Sequence, residues 1–289
     1  MRRKNAVVLV LAMGLATISS LGADDANRTE QRSGLPVHIY NRYQIVAEGS
    51  AGNVHGLRFL LDTGTTTTSI DRRIAKHLGV AGQRTKVVNF DKVVQVEWGI
   101  VPEITLGPEK AAGVPVLIED LSYLHAGPVP IDGIIGLDLL RRKTFVIDYA
   151  SSRVIFGETD TTGMHAVPMR VGQTTLTVQA ELDGRPVWMI ADTGLLRTTL
   201  YERGVEAVLE NYRVQGHVTA QSMGGSVQNR VATVLQFSLG GQELDREVLF
   251  VTAPASNQLN DVAGFLGPAS FTAKQVVFDF DSSQLFWKN

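Results

Sequence analysis

The 289-residue sequence predicts an all-β protein, mainly strands with short helices, arranged as two similar lobes that face each other across a pseudo-twofold axis. Two observations carry this. Apolar residues recur at a period of two in short runs broken by Gly, Pro, Asn and Asp, the pattern of half-buried strands joined by tight turns. Three landmarks also recur at nearly one offset: Asp62 with Asp192 at 130 positions, and Gly133 with Gly264 and Asp148 with Asp279 at 131. A drift of one residue across a whole unit implies two copies of one fold, in the manner of a homodimer fused into one chain.

Met1-Arg2-Arg3-Lys4, an uncharged apolar segment over residues 6–21, and Gly22-Ala23 read as a cleaved secretory signal covering residues 1–23. An uncleaved membrane anchor is the alternative, because the apolar stretch reaches the short end of a membrane-spanning length. The expected destination is the periplasm or the extracellular space, with no membrane contact once the signal is removed. Without Arg2, Arg3 and Lys4, 24 of the 27 Lys and Arg remain against 29 Asp and Glu. That mildly acidic balance, with no basic tract, argues against nucleic acid as a partner. The absence of Cys rules out disulfides and thiolate metal sites.

Residues 24–34 are polar and irregular and read as a flexible lead-in. The first lobe is expected over residues 35–157. Val37, Ile39, Tyr43, Ile45 and Ala47 keep the period of a half-buried strand, and Gly49-Ser50-Ala51-Gly52 punctuates the chain before a second strand over residues 57–61. The β-branched residues 65–70 read as extended. Asp71 as N-cap, a stripe of Ile74, Ala75 and Leu78, and Gly79 as stop define a short helix. Residues 87–118 read as several strands with breaks at Gly99, Pro102, Gly107-Pro108 and Gly113, and residues 87–101 as a hairpin. Gly133-Ile134-Ile135-Gly136 precedes a helical patch at residues 137–142, and strands over 144–149 and 153–156 close the unit.

Residues 158–165 lack apolar periodicity and read as a linker, after which the pattern restarts in a second lobe over residues 166–289. Leu176, Val178, Ala180 and Leu182 face one way, Asp183-Gly184 signals a hairpin, and residues 186–191 lead to Asp192. A helix is expected over residues 202–209 and a hairpin tip at Met223-Gly224-Gly225-Ser226. Ala263-Gly264-Phe265-Leu266-Gly267 and a closing strand pair complete the second copy.

The repeat places chemistry as well as fold. Phe59-Leu60-Leu61-Asp62-Thr63-Gly64 and Val187-Trp188-Met189-Ile190-Ala191-Asp192-Thr193-Gly194 each deliver one carboxylate from an apolar strand to a Gly-permitted turn. Two carboxylates on one axis cannot both ionise cheaply, so near neutral or mildly acid pH the pair holds one shared proton. Such a pair can take a proton from water with one carboxylate while the other donates to an amide carbonyl oxygen.

These duplicated motifs, with Gly133-Ile134-Ile135-Gly136 and Gly264-Phe265-Leu266-Gly267 some 70 residues after each aspartate, resemble the retropepsin-like aspartic proteases over residues 35–289. The resemblance implies two β-barrel lobes in one monomeric chain and an endopeptidase with no cofactor or metal that cleaves extended polypeptides between apolar residues. It implies that Asp62 and Asp192 form the catalytic dyad, supported by Gly64 and Gly194, and that Thr63 and Thr193 hydrogen-bond across the axis. The two Gly-apolar-apolar-Gly segments would pass beneath the aspartate loops, and hairpins near residues 87–101 and 217–232 would act as flaps. One position departs from the family: lobe one follows its Gly with Thr65, as is usual, whereas lobe two has Leu195. The alternative that Leu195 motivates is a catalytically inactive peptide-binding or scaffold protein that has kept the fold.

Other groups read as structural. Asp148 and Asp279 each precede a polar turn, and Asp132 has Ala263 as its counterpart, so the pseudo-symmetry gives it no catalytic partner. The six histidines show no metal-ligand spacing, and His77 reads as a helix C-terminal surface residue.

Overall fold

A computed structural model of the chain describes residues 34–289 except 90–91, 126–128, 206–211, 223–224, 252–260 and 271. The signal reading, most of the lead-in and the tips of both expected flaps fall outside the described residues.

The first half comprises β1 (Leu35–Tyr40), β2 (Gln44–Ala51), β3 (Val54–Leu61), β4 (Ser69–Asp71), α1 (Arg72–His77), β5 (Gln83–Asn89), β6 (Lys92–Leu106), β7 (Glu109–Glu119), β8 (Gly133–Ile135), α2 (Leu137–Leu140), β9 (Phe145–Asp148) and β10 (Arg153–Phe156). The second comprises β11 (His165–Val171), β12 (Leu176–Leu182), β13 (Arg185–Ala191), β14 (Thr199–Tyr201), α3 (Glu202–Val205), β15 (Tyr212–Ser222), β16 (Gly225–Val234), β17 (Phe237–Leu239), β18 (Gln242–Glu243), β19 (Glu247–Val251), β20 (Gly264–Leu266), β21 (Gln275–Asp279) and β22 (Gln284–Lys288). The all-β class holds, and the two halves repeat each other pairing for pairing. β3 runs parallel to β8 as β13 does to β20, and β4 runs parallel to β7 as β14 does to β19.

What joins the halves is a six-stranded antiparallel sheet in the order β1-β10-β9-β21-β22-β11, three strands from each copy. Its register locates the symmetry axis. Val146 pairs with Val277, its own counterpart 131 positions on, so β9 and β21 meet as two copies of one strand would across a twofold. Phe145 stacks on Phe278 there with ring centroids 4.8 Å apart, and both are buried in one apolar cluster that runs through both halves. The polar turns beside this sheet use Asp148 and Asp279 structurally. Asp148 accepts from the Ser151 amide at 3.0 Å, and Asp279 from the amides of Asp281 and Ser282 at 3.0 and 3.1 Å.

Three expectations need correction. The alternation through residues 37–47 is not one strand: the chain reverses at Asn41 and Arg42, both at positive φ, and the hairpin keeps the odd-numbered residues on one face. Residues 65–70 are not extended throughout, since only Ser69 onward joins the sheet as β4 and the preceding threonines are held in the aspartate loop. β6 also runs unbroken through Gly99 and Pro102, as β7 does through Gly113. The ladder skips Pro102 and Gly113, which lie opposite each other between the Val101–Val114 and Glu103–Ala112 pairs, and Gly113 takes φ +60°, so the strands resume in the same register beyond them. Gly99 marks a close approach, because a Cβ there would lie 2.5 Å from the Val80 side chain.

The expected helix caps hold. The Asp71 side chain accepts from the Arg73 amide at 2.8 Å and α1 ends before Gly79 at φ +67°. Asp183 and Gly184 take the positive φ of the predicted hairpin turn, and His77 is exposed.

Because Phe145 packs on the seam between the halves, Phe145→Ala removes contacts belonging to both. Urea denaturation is expected to show a loss of about 3–5 kcal/mol, against about 0.5 kcal/mol or less for exposed Val93→Ala.

Candidate active site

β3 and β13 end at the same place, on the axis above the central sheet. Each is held there by the Gly-apolar-apolar-Gly segment beside it. The Asp62 amide donates to Ile135 O at 3.0 Å and the Asp192 amide to Leu266 O at 3.1 Å. Gly133 and Gly264 allow that strand to pass closely: an added Cβ would lie 2.6 Å from the Phe59 ring in one half and 2.1 Å from Thr199 O in the other. Gly136 donates to Thr68 Oγ1 at 3.1 Å and Gly267 to Thr198 Oγ1 at 3.3 Å, so both segments also brace the loops from below.

Four hydrogen bonds then lock the two loops together. Thr63 Oγ1 donates to Ala191 O at 2.7 Å and accepts from the Thr193 amide at 3.1 Å. Thr193 Oγ1 donates to Leu61 O at 2.8 Å and accepts from the Thr63 amide at 3.0 Å. Each hydroxyl spends its donor and an acceptor on the opposite half, and both threonines are buried. Such bonds are costly to break, because a buried amide left unpaired forfeits its desolvation cost, about 1–3 kcal/mol each.

The lock brings the carboxyls together. Gly64 is in such close contact with Asp192 that a Cβ would lie 2.2 Å from the Asp192 carboxyl carbon. Asp62 is 0% exposed and Asp192 1%. Their inner oxygens are held identically: Asp62 Oδ1 accepts from the Gly64 and Thr65 amides at 2.8 and 3.1 Å, and Asp192 Oδ1 from the Gly194 and Leu195 amides at 2.9 and 3.0 Å.

The outer oxygens differ. Asp62 Oδ2 accepts from Thr65 Oγ1 at 2.7 Å, whereas Asp192 Oδ2 receives no such donor among the described residues and the Asp192 carboxyl has the Asp62 carboxyl as its side-chain hydrogen-bond partner. The cause is Leu195, which offers no hydroxyl and packs into an apolar cluster with Ile190, Tyr201, Ala220, Leu249, Val262 and Phe265. It does not fill the space between the aspartates.

That asymmetry separates the two acids. Burial pushes Asp62 up to about 6, held back by the hydrogen bonds from Thr65 and Gly64. Burial, and then the neighbouring Asp62 charge, push Asp192 well above the usual carboxylate range. The arrangement therefore holds one proton on Asp192 over a window that opens near pH 6 and extends upward, the near-neutral part of the range the sequence suggested.

Sequence reasoning missed the second tier. Asp138, on α2, accepts from the Thr68 amide and hydroxyl at 3.0 and 2.8 Å and so ties the first loop to α2. Asp132 lies off the axis, accepting from the Arg58 amide at 3.0 Å and pairing with Arg73 at 3.4 Å. The hairpins β5–β6 and β15–β16 stand where flaps were expected.

The folded state binds a proton at Asp192 that the unfolded chain releases near pH 4, so stability declines as pH rises above that value. Asp192→Asn removes this dependence. Urea midpoints at pH 4.5 and pH 8 are expected to shift in favour of the variant at the higher pH.

A family model described as aspartyl protease matches residues 47–139 and 178–267, one segment in each half. None of the curated proteins compared is significantly similar to the chain. Two matched segments offset by 131 positions, each spanning an aspartate loop and its bracing glycine segment, show that the chain belongs to the aspartyl protease family.

Proposed function

We propose that the protein is an aspartic endopeptidase that hydrolyses peptide bonds of extended polypeptides, with Asp62 and Asp192 as its catalytic dyad. The observation that carries this reading is the unequal environment of two buried carboxyls locked on one axis. Membership of the aspartyl protease family supports it.

In this mechanism Asp62, the stronger acid of the pair, is ionised and takes a proton from a water molecule as the water oxygen attacks the scissile carbonyl carbon. Asp192 donates its proton from Oδ2 to the carbonyl oxygen, giving a neutral gem-diol and no covalent enzyme intermediate. Collapse reverses the roles. The proton on Asp62 passes to the leaving amine, and a gem-diol hydroxyl returns its proton to Asp192, so the starting state is regenerated as the C–N bond breaks. Thr63 and Thr193 contribute by fixing the carboxyls before the substrate arrives, which removes the reorganisation that free side chains would need. The hairpins cover an extended peptide whose backbone adds to their edges. Gly133, Ile134, Ile135 and Gly136, with Gly264, Phe265, Leu266 and Gly267, support the loops.

The reading includes the division into lobes at residues 35–157 and 166–289, action as a monomer, and export through the N-terminal signal. No helix among the described residues is long and apolar enough to cross a membrane.

Asp62→Asn and Asp192→Asn are each expected to reduce peptide hydrolysis by about 10²–10⁴-fold. The wild-type rate is expected to rise through pH about 6, as Asp62 ionises, and to persist into the neutral range. Tight peptide binding without turnover in the wild type would establish the inactive-binder alternative instead. Leu195→Thr supplies the missing donor to Asp192 Oδ2. It is expected to lower that group's pKa and move the alkaline limb of the pH–rate profile downward, while Leu195→Val leaves the limb in place.

A further inference from the structure

Beside the dyad, on the first-half wall, stands a group that the mechanism does not use. Glu119 ends β7 and is 2% exposed, yet no ion pair engages it and the Ser69 hydroxyl is the one side chain that hydrogen-bonds it among the described residues. The buried Tyr123 OH nearby has no hydrogen-bond partner among the described residues. Buried polar atoms are almost always paired and buried carboxylates neutralised, so an acid with one hydroxyl and no counter-ion beside an unpaired phenol marks a place where something else supplies the partner.

The fold fixes where this cluster faces. β4 and β7 run parallel with Ser69 beside Leu117 and Asp71 beside Glu119. Leu117 packs with Leu60 and Ile134, while Val116 and Ile118 face the core shared by both halves. By strand alternation Glu119 lies on the Leu117 side. That side is covered by Val87 and Val96 of the β5–β6 hairpin, with Trp98 and Tyr123 at its edge. It is also close to the dyad, because Ser69 pairs with Ile134 and the next residue, Ile135, accepts from the Asp62 amide at 3.0 Å. The result is an apolar-walled position under the first hairpin, next to Asp62, with an acid at its end.

We propose that Glu119, with the Ser69 and Tyr123 hydroxyls, is a specificity-determining group that receives a lysine or arginine side chain next to the scissile bond. The chemistry of both ends fits. The methylene stem of such a side chain packs against Leu60, Leu117 and Ile134, and its cationic head meets a carboxylate with no counter-ion and two hydroxyls able to accept. Without substrate, burial pushes Glu119 up to about 7, opposed by the Ser69 hydroxyl, so below neutral pH the acid is mostly protonated. An arriving cation displaces that proton and forms a buried ion pair, whereas a leucine or phenylalanine side chain leaves the acid unpaired.

The inference rests on the cleft between the halves being the substrate site, as proposed above, and two measurements separate its failure from that of the hydrolytic reading. Fluorescence anisotropy gives Kd for labelled extended peptides identical except for Lys, Arg, Leu or Phe at one position, and mass spectrometry follows cleavage of the same peptides. Lys and Arg peptides are expected to bind wild type about tenfold or more tightly than their Leu counterpart. Glu119→Leu should erase or invert that order, and Glu119→Gln should reduce it. Tyr123→Phe, which removes one hydroxyl and keeps the ring, should weaken the preference without abolishing it. Equal affinity for all four peptides, a basic preference that survives Glu119→Leu, or no peptide binding would each overturn the inference. Preferential binding without cleavage would sustain it and sink hydrolysis. Asp62-dependent cleavage with no basic preference would do the reverse.

Discussion

Everything at the centre of this molecule depends on the reciprocal bonding of two threonines. Thr63 and Thr193 each place a hydroxyl on the other half's backbone, and that exchange holds two buried aspartates together against their repulsion. Like charges in a desolvated site would otherwise drive the loops apart or draw in water. The six-stranded sheet below serves the same constraint from the other end of the axis: its central pair, Val146 with Val277, lies on the symmetry operator that relates Thr63 to Thr193. Loops and sheet clamp the axis at two points, which leaves the halves little freedom to separate the carboxyls.

Within that symmetric frame the chemistry is asymmetric, and a single side chain makes it so. The Thr65 hydroxyl gives Asp62 a third hydrogen bond; the Leu195 side chain gives Asp192 no counterpart and turns into the apolar cluster beside it. The position that looked like the weak point of the second motif becomes the reason the proton has a definite place. A symmetric pair leaves the base and the acid interchangeable until substrate binds. Here the resting protein already assigns Asp62 as the ionised group and Asp192 as the donor.

Much of this was legible in the sequence because it was written twice. One acid-Thr-Gly after an apolar run is a common turn, but two at the offset that also relates the glycine segments and the closing strands specify a duplicated unit and a paired site. The elements that could not be read were set by partners distant in the chain. Pro102 and Gly113 resemble strand breaks until they are seen facing each other across a pair. Asp138 resembles an ordinary first-turn acid until Thr68 is seen bonded to it. Glu119 follows the apolar run Val116-Leu117-Ile118 and reads as the polar end of a strand; only the packing of the Leu117 face beneath a hairpin reveals that its carboxyl is enclosed.

The central claim is that the two carboxyls hold one proton, placed on Asp192, through the neutral range. Carbon-13 NMR of protein labelled at the aspartate carboxyl carbons, with signals assigned through Asp62→Asn and Asp192→Asn, measures this directly. The account predicts one carboxyl titrating near pH 6 and the other remaining protonated well above it. Two carboxyls both fully ionised by about pH 5, as ordinary exposed aspartates are, would contradict it.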